Sequence, residues 1–217
     1  MKRTISFPYE AHFSISHEPS GLEKELWIVF HGYGQLAEFF LRKFQSFDSP
    51  ERLFLAPEGT NYGYLKDFQG RVGANWMTKY ERETAIENNH RYLDRLLKEI
   101  LSTFQKAPKI HVLGFSQGAA TATRWAARWQ HSVQTLVLWA GGFAHDLELD
   151  LAKSQFLDTE FILIHGDQDE YLTEESQVKQ KEMLQNLGKQ AIHMQFHGGH
   201  ELPTEMIQKI MTFEKPG

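Results

Sequence analysis

The sequence contains no cysteine. That removes disulfides, thiolate nucleophiles and cysteine-based zinc sites in one step. It also has no basic run and no stripe of interleaved basic and aromatic residues, and its formal net charge is −5. Nucleic acid and anionic membranes both require clustered cations, so neither is expected as a partner. No window approaches the roughly 20 apolar residues of a membrane span. The opening MKRTISFPYE has two basic residues but no apolar stretch after them of the length a secretory signal needs. These absences predict a soluble, cytoplasmic protein without stable membrane insertion. Repeats, low-complexity tracts and linkers are missing too, and 217 residues suit one core, so a single domain over 1–217 is expected.

What is present is 41% hydrophobic residues, including sixteen phenylalanines that suit core packing. LWIVF (26–30), LFLA (53–56), the run at 109–114, TLVLWA (135–140), FILIH (161–165) and IHMQF (192–196) read as strands. Several are continuously apolar, the signature of strands covered on both faces. Helices are predicted at 36–47, 83–104, 117–130, 174–187 and 204–213. In the second, Ile86, Leu93, Leu96, Leu97, Ile100 and Phe104 recur at the three-to-four spacing of one buried face. Segments 4–7 and 11–16 read as two edge strands joined at Pro8-Tyr9. Residues 57–80, rich in turn formers, read as a loop that shapes a pocket. Buried strands alternating with amphipathic helices predict an α/β fold, a mostly parallel sheet with helices on both faces. Functional groups then gather beyond the carboxyl ends of the strands.

One such end reads Gly114-Phe115-Ser116-Gln117-Gly118, a G-x-S-x-G pattern between a strand and a helix rich in small residues. The glycines allow a sharp turn that lifts the Ser116 hydroxyl clear of the sheet and aims the helix N-terminus at whatever it attacks. The plainer reading is a tight turn in which Ser116 only caps the helix. A serine nucleophile needs a base. Of eleven histidines, His12, His17, His90 and His131 fall on surface or edge positions, and His111 and His193 lie within strands. His200 follows the last strand through Gly198-Gly199, which lets the backbone fold back over the sheet end; His197 is its nearest rival. The acid is expected in HGDQDEYL (165–172), where Asp169 can reach toward His200 while Asp167 suits a turn. Asp146 and Asp150 are the alternatives one strand earlier. Backbone N–H groups of Gln117 and of Tyr33, in the loop His31-Gly32-Tyr33-Gly34, are the candidate oxyanion donors.

Together, FHGYGQ (30–35), GFSQGAA (114–120), HGDQDEYL (165–172) and GGHELP (198–203) resemble the phospholipase/carboxylesterase family of α/β-hydrolases, which includes acyl-protein thioesterase-like and small bacterial esterases. The resemblance runs from about Leu26 to the C-terminus. It implies an α/β-hydrolase fold, with Ser116 as nucleophile, Asp169 as acid, His200 as base, and Tyr33 and Gln117 N–H as oxyanion donors. It places Asn75-Trp76 where relatives line the site, making Trp76 a candidate pocket residue against the alternative of core packing. The pattern departs at Gln35, where thioesterases of the family often carry aspartate. The expected activity is cleavage of short acyl esters or lysophospholipids, with no metal or cofactor. Short segments between the catalytic strands leave no room for a large lid domain. Thioester hydrolysis and a non-catalytic binding role on the same scaffold are the alternatives. Oligomeric state is not legible in the sequence.

Overall fold

A computed structural model describes residues 1–213. Its main sheet has seven strands in the order β1 (Phe13–Ile15), β3 (Arg52–Pro57), β2 (Glu25–Phe30), β6 (Lys109–Phe115), β7 (Thr135–Trp139), β8 (Glu160–Gly166) and β9 (Ala191–Phe196). Only the β1–β3 pair is antiparallel. The two-residue side-chain period of each strand feeds two separate cores. Leu26, Ile28 and Phe30 enter one core with α2 (Arg82–Leu101), α3 (Gln117–Arg128), α4 (Leu149–Gln155) and α5 (Glu174–Leu187). Trp27 and Val29 enter the other with α1 (Ala37–Leu41), the 3₁₀ turn Arg42–Phe47, and α6 (Thr204–Met211). Burial on both faces is why these strands are apolar throughout.

Several sequence expectations change. Residues 4–7 form no strand; Pro8 has no N–H to give a ladder, and the segment lies exposed along α2. The predicted loop 57–80 contains an antiparallel hairpin, β4 (Asn61–Lys66) and β5 (Gln69–Asn75). Its tip, Asp67-Phe68, has φ of 31° and 62°, the positive values that a two-residue hairpin turn of the strand-matching hand requires. The glycines that made this stretch look like a loop serve close packing: a Cβ on Gly73 would collide with the backbone of Gly34. The helix expected at 36–47 is α-helical only to Leu41, and that expected to reach 104 ends at Leu101. The short α4 is an addition to the helices that the sequence pattern predicts. His90 is buried rather than at the surface, and His17 is half-buried between Asp48 and Glu23.

Candidate active site

The turn from β6 into α3 holds Ser116 at φ 54°, ψ −120°, a conformation that residues with a Cβ rarely adopt. Neighbouring structure enforces it. Ser116 N–H donates to Trp139 O at 2.9 Å, and Ser116 O accepts from Ala119 N–H at 3.0 Å. The flanking glycines are sterically required: a Cβ on Gly114 would sit 2.5 Å from Ala119 Cα, and one on Gly118 would strike Phe30 O.

The loop after β2 lies directly against this turn, since a Cβ on Gly32 would be 3.2 Å from Ser116 Cβ. Five hydrogen bonds fix the loop. Gln35 Oε1 accepts from Gly32 N–H at 2.8 Å. Gly34 N–H donates to Ala74 O on the hairpin at 2.8 Å. Trp76 Nε1–H donates to His31 O at 2.9 Å. Buried His31 accepts from Gly59 N–H through Nε2 at 2.9 Å, which leaves the proton on Nδ1 to donate to Gly32 O at 2.8 Å. Burial pushes the His31 pKa down, so the ring stays in this neutral form. Among the described residues, neither Tyr33 N–H nor Gln117 N–H donates to a protein acceptor. Both are therefore open to an incoming oxygen.

Trp76 requires a correction. It is fully buried, stacked on His31 with ring centroids 4.9 Å apart, so it supports the loop from beneath and does not line a pocket. The Gln117 side chain has a role that its type alone did not announce. Its Oε1 accepts from Trp76 N–H at 3.0 Å and its Nε2 donates to Met77 O at 2.9 Å, which ties the head of α3 to the end of β5.

Beyond β8 and β9, His200 Nδ1–H donates to Asp169 Oδ2 at 2.9 Å. The Asp169 side chain is 1% exposed, and its other oxygen accepts from Tyr171 N–H at 3.0 Å. Two rings hold the imidazole: Phe115, beside Ser116, at 4.9 Å and Tyr171 at 4.8 Å between centroids. Phe115 thus brings His200 to the turn that carries Ser116. Among the described residues, no hydrogen bond yet joins the Ser116 hydroxyl to His200. Such contacts commonly tighten only with substrate bound.

The rival residues are engaged elsewhere. His197 Nδ1 lies 3.1 Å from Asp167 Oδ2, and Gly198 N–H donates to Asp167 Oδ1 at 3.1 Å, an exposed pair that shapes the loop carrying His200. The imidazole and that N–H hold the Asp167 carboxyl below its usual range. Asp146 accepts from Arg124 through both oxygens and from Arg82, and hydrogen bonds from the two guanidiniums overcome burial to keep its pKa far below normal. Asp150 sits exposed in the first turn of α4. Among the described residues, no cluster of three or more His, Asp or Glu is placed to hold a metal ion, and no helix is long and apolar enough to cross a membrane.

The fold has counterparts among known proteins. Acyl-protein thioesterase 2 of Zea mays superposes with a TM-score of 0.69 at 16% identity, covering 93% of this chain and 96% of that one. Esterase PE8 gives 0.70 at 21% identity, with 94% and 97% covered. The carboxylesterase of Bacillus cereus gives 0.67 at 16% identity, with 93% and 92% covered. At such identities the likeness shows the shared α/β-hydrolase fold. No curated protein sequence matches the chain significantly. The sequence profile of the phospholipase/carboxylesterase family matches residues 11–215, nearly the whole chain, and on that match the protein belongs to this family of hydrolytic enzymes.

Proposed function

We propose that the protein hydrolyses carboxylic esters of small or single-chain acyl groups, short acyl esters or lysophospholipids, through an acyl-enzyme on Ser116. Asp169 orients His200 by accepting its Nδ1–H, which leaves Nε2 to take the Ser116 proton as Oγ adds to the ester carbonyl carbon. The carbonyl oxygen becomes an oxyanion against the N–H groups of Tyr33 and Gln117, where each fixed donor contributes about 3–4 kcal/mol to the barrier reduction. As the tetrahedral intermediate collapses, the C–O bond to the alcohol breaks and His200 protonates the departing oxygen. Water, deprotonated by His200, then attacks the acyl-enzyme and returns Ser116 Oγ to its protonated form.

The observation that carries this reading is the pairing of buried Asp169 with half-buried His200, held by Phe115 at the turn that bears Ser116. The neutral Gln35 beside Gly32 supports ester over thioester preference, since it departs from the family's thioesterase pattern. The same oxyanion chemistry serves both classes, so a substrate panel with matched ester and thioester pairs over several acyl lengths decides between them. Ser116→Ala is expected to lose at least about 10³-fold in kcat on a p-nitrophenyl ester. Full activity in that variant would refute the proposal. A non-catalytic scaffold would leave both proteins at the background rate.

A further inference from the structure

A groove of about 970 Å³ runs between the N-terminal segment and α2, on a flank separate from the site around Ser116. Ile5, Phe7 and Tyr9 border one side, and Tyr92 and Leu96 contribute from α2. The segment is tied down at both ends: Lys2 pairs with Glu81, and His12 O accepts from Tyr92 Oη–H at 2.6 Å. Between these ties Ile5, Phe7 and Tyr9 are 85%, 73% and 56% exposed. Three large apolar side chains on this one segment, all bordering the groove, form a patch of the kind that marks an interaction surface.

The opposite border identifies the partner. Glu83, Glu87, Arg91 and Arg95 follow one another at four-residue spacing and all line the groove. Their order is two acids, then two bases. Beside a parallel copy this row would meet like charges. Beside an antiparallel copy it complements itself: Glu87 faces the partner's Arg91, and Glu83 faces the partner's Arg95, each pairing occurring twice about a two-fold axis. The axis lies level with Asn89, midway between 87 and 91 and between 83 and 95. A row at i±4 is inclined to the helix axis, and two such rows align when helices cross near about −50°, the commonest packing class.

The contacts these residues make within the chain leave this capacity intact. Glu87 accepts from Arg91 at 3.2 Å and Arg128 at 3.4 Å, Arg95 donates to Glu99 at 3.1 Å, and Glu83 pairs with Arg82. The side chains of Glu83, Glu87, Arg91 and Arg95 are themselves exposed, and each carboxylate has lone pairs for a further donor. The aliphatic stems of the partner's Arg91 and Arg95 would lie over Phe7 and Tyr9, with their guanidiniums within reach of the ring faces.

We propose that this face binds a second copy of the chain, α2 against α2 in antiparallel register, with each N-terminal segment covering the partner's arginine stems. Sedimentation velocity on the full chain over a micromolar series tests it. The wild type is expected at twice the chain mass. Arg91→Glu and Glu87→Arg, each of which sets like charges across the axis, are expected to sediment as monomers with unchanged circular dichroism. A one-to-one mixture of the two variants is expected to recover the dimer, because both interchain pairs are then of opposite sign while the pair within each helix stays like-charged. Phe7→Asp, on the exposed segment, is expected to weaken the wild-type dimer at least tenfold. A monomeric wild type, single variants that remain dimeric, or a mixture that stays monomeric would each overturn the proposal. So would a chain that stays monomeric while taking up a fatty acid in the groove.

Discussion

Ser116 sits in a backbone conformation that carries a cost of about 1–3 kcal/mol for a residue with a side chain. Its hydroxyl and its strain are separable. Ser116→Gly is expected to abolish ester hydrolysis yet melt no lower than wild type, because relief of the positive φ offsets the added freedom of the unfolded chain. A melting temperature several degrees lower, by calorimetry, would show that the turn is not strained. In the proposed mechanism Asp169 acts at one remove from the serine, through His200. Asp169→Asn keeps the shape of the buried contact but disfavours the tautomer and the imidazolium that His200 needs. A loss of about 10²–10⁴-fold in kcat with KM little changed is expected in steady-state kinetics. In the sequence, position in the loop alone assigns Asp169 to His200 and Asp167 to the turn, without contacts to separate them. Geometry separates them, since Asp169 turns inward to His200 while Asp167 turns outward to His197.

Among the elements, the β4–β5 hairpin matters most to the site and was least legible. The strands of the main sheet could be read because burial on both faces makes each of them apolar throughout. The hairpin has Gly63, Gly70 and Gly73 among its residues and turns on two non-glycine residues at positive φ, so its letters spell a loop. Yet Gly34 N–H donates to its Ala74 O, and Gly73 packs against Gly34 with no room for a Cβ. Gly73→Val should therefore push the hairpin off the loop that carries Tyr33. A misplacement near 1 Å costs on the order of 10²-fold in rate, and that loss is expected in kcat with the fold retained by circular dichroism. The loop's other supports were invisible for a related reason. His31, Trp76 and the Gln117 amide come from three distant segments, and nothing in their spacing announces that they meet.

At the scale of the whole molecule, histidines whose pKa is lowered by burial contribute to the response to acid, and His31 is one of them. Burial lowers His90 and His111 to about 4 from an ordinary value of 6.5. Between those values the unfolded chain binds more protons than the folded one, so stability falls as pH drops from about 6.5 toward 4. His111 stacks on Trp27 at 4.5 Å and has no hydrogen-bond partner for either ring nitrogen, so a phenylalanine fits its place without orphaning another group. His111→Phe is expected to flatten the acid side of a urea-denaturation stability profile, and an unchanged slope would remove His111 as a cause. The catalytic proposal also depends on the molecule as a whole, because three loops from β6, β8 and β9 must converge at one edge of the sheet. The most direct test is peptide mapping by mass spectrometry after treatment with a fluorophosphonate. One adduct is predicted, on the peptide containing Ser116, formed quickly in the wild type and at least about a hundredfold more slowly in His200→Ala. Labelling elsewhere, no labelling, or equal rates in the two proteins would contradict the account.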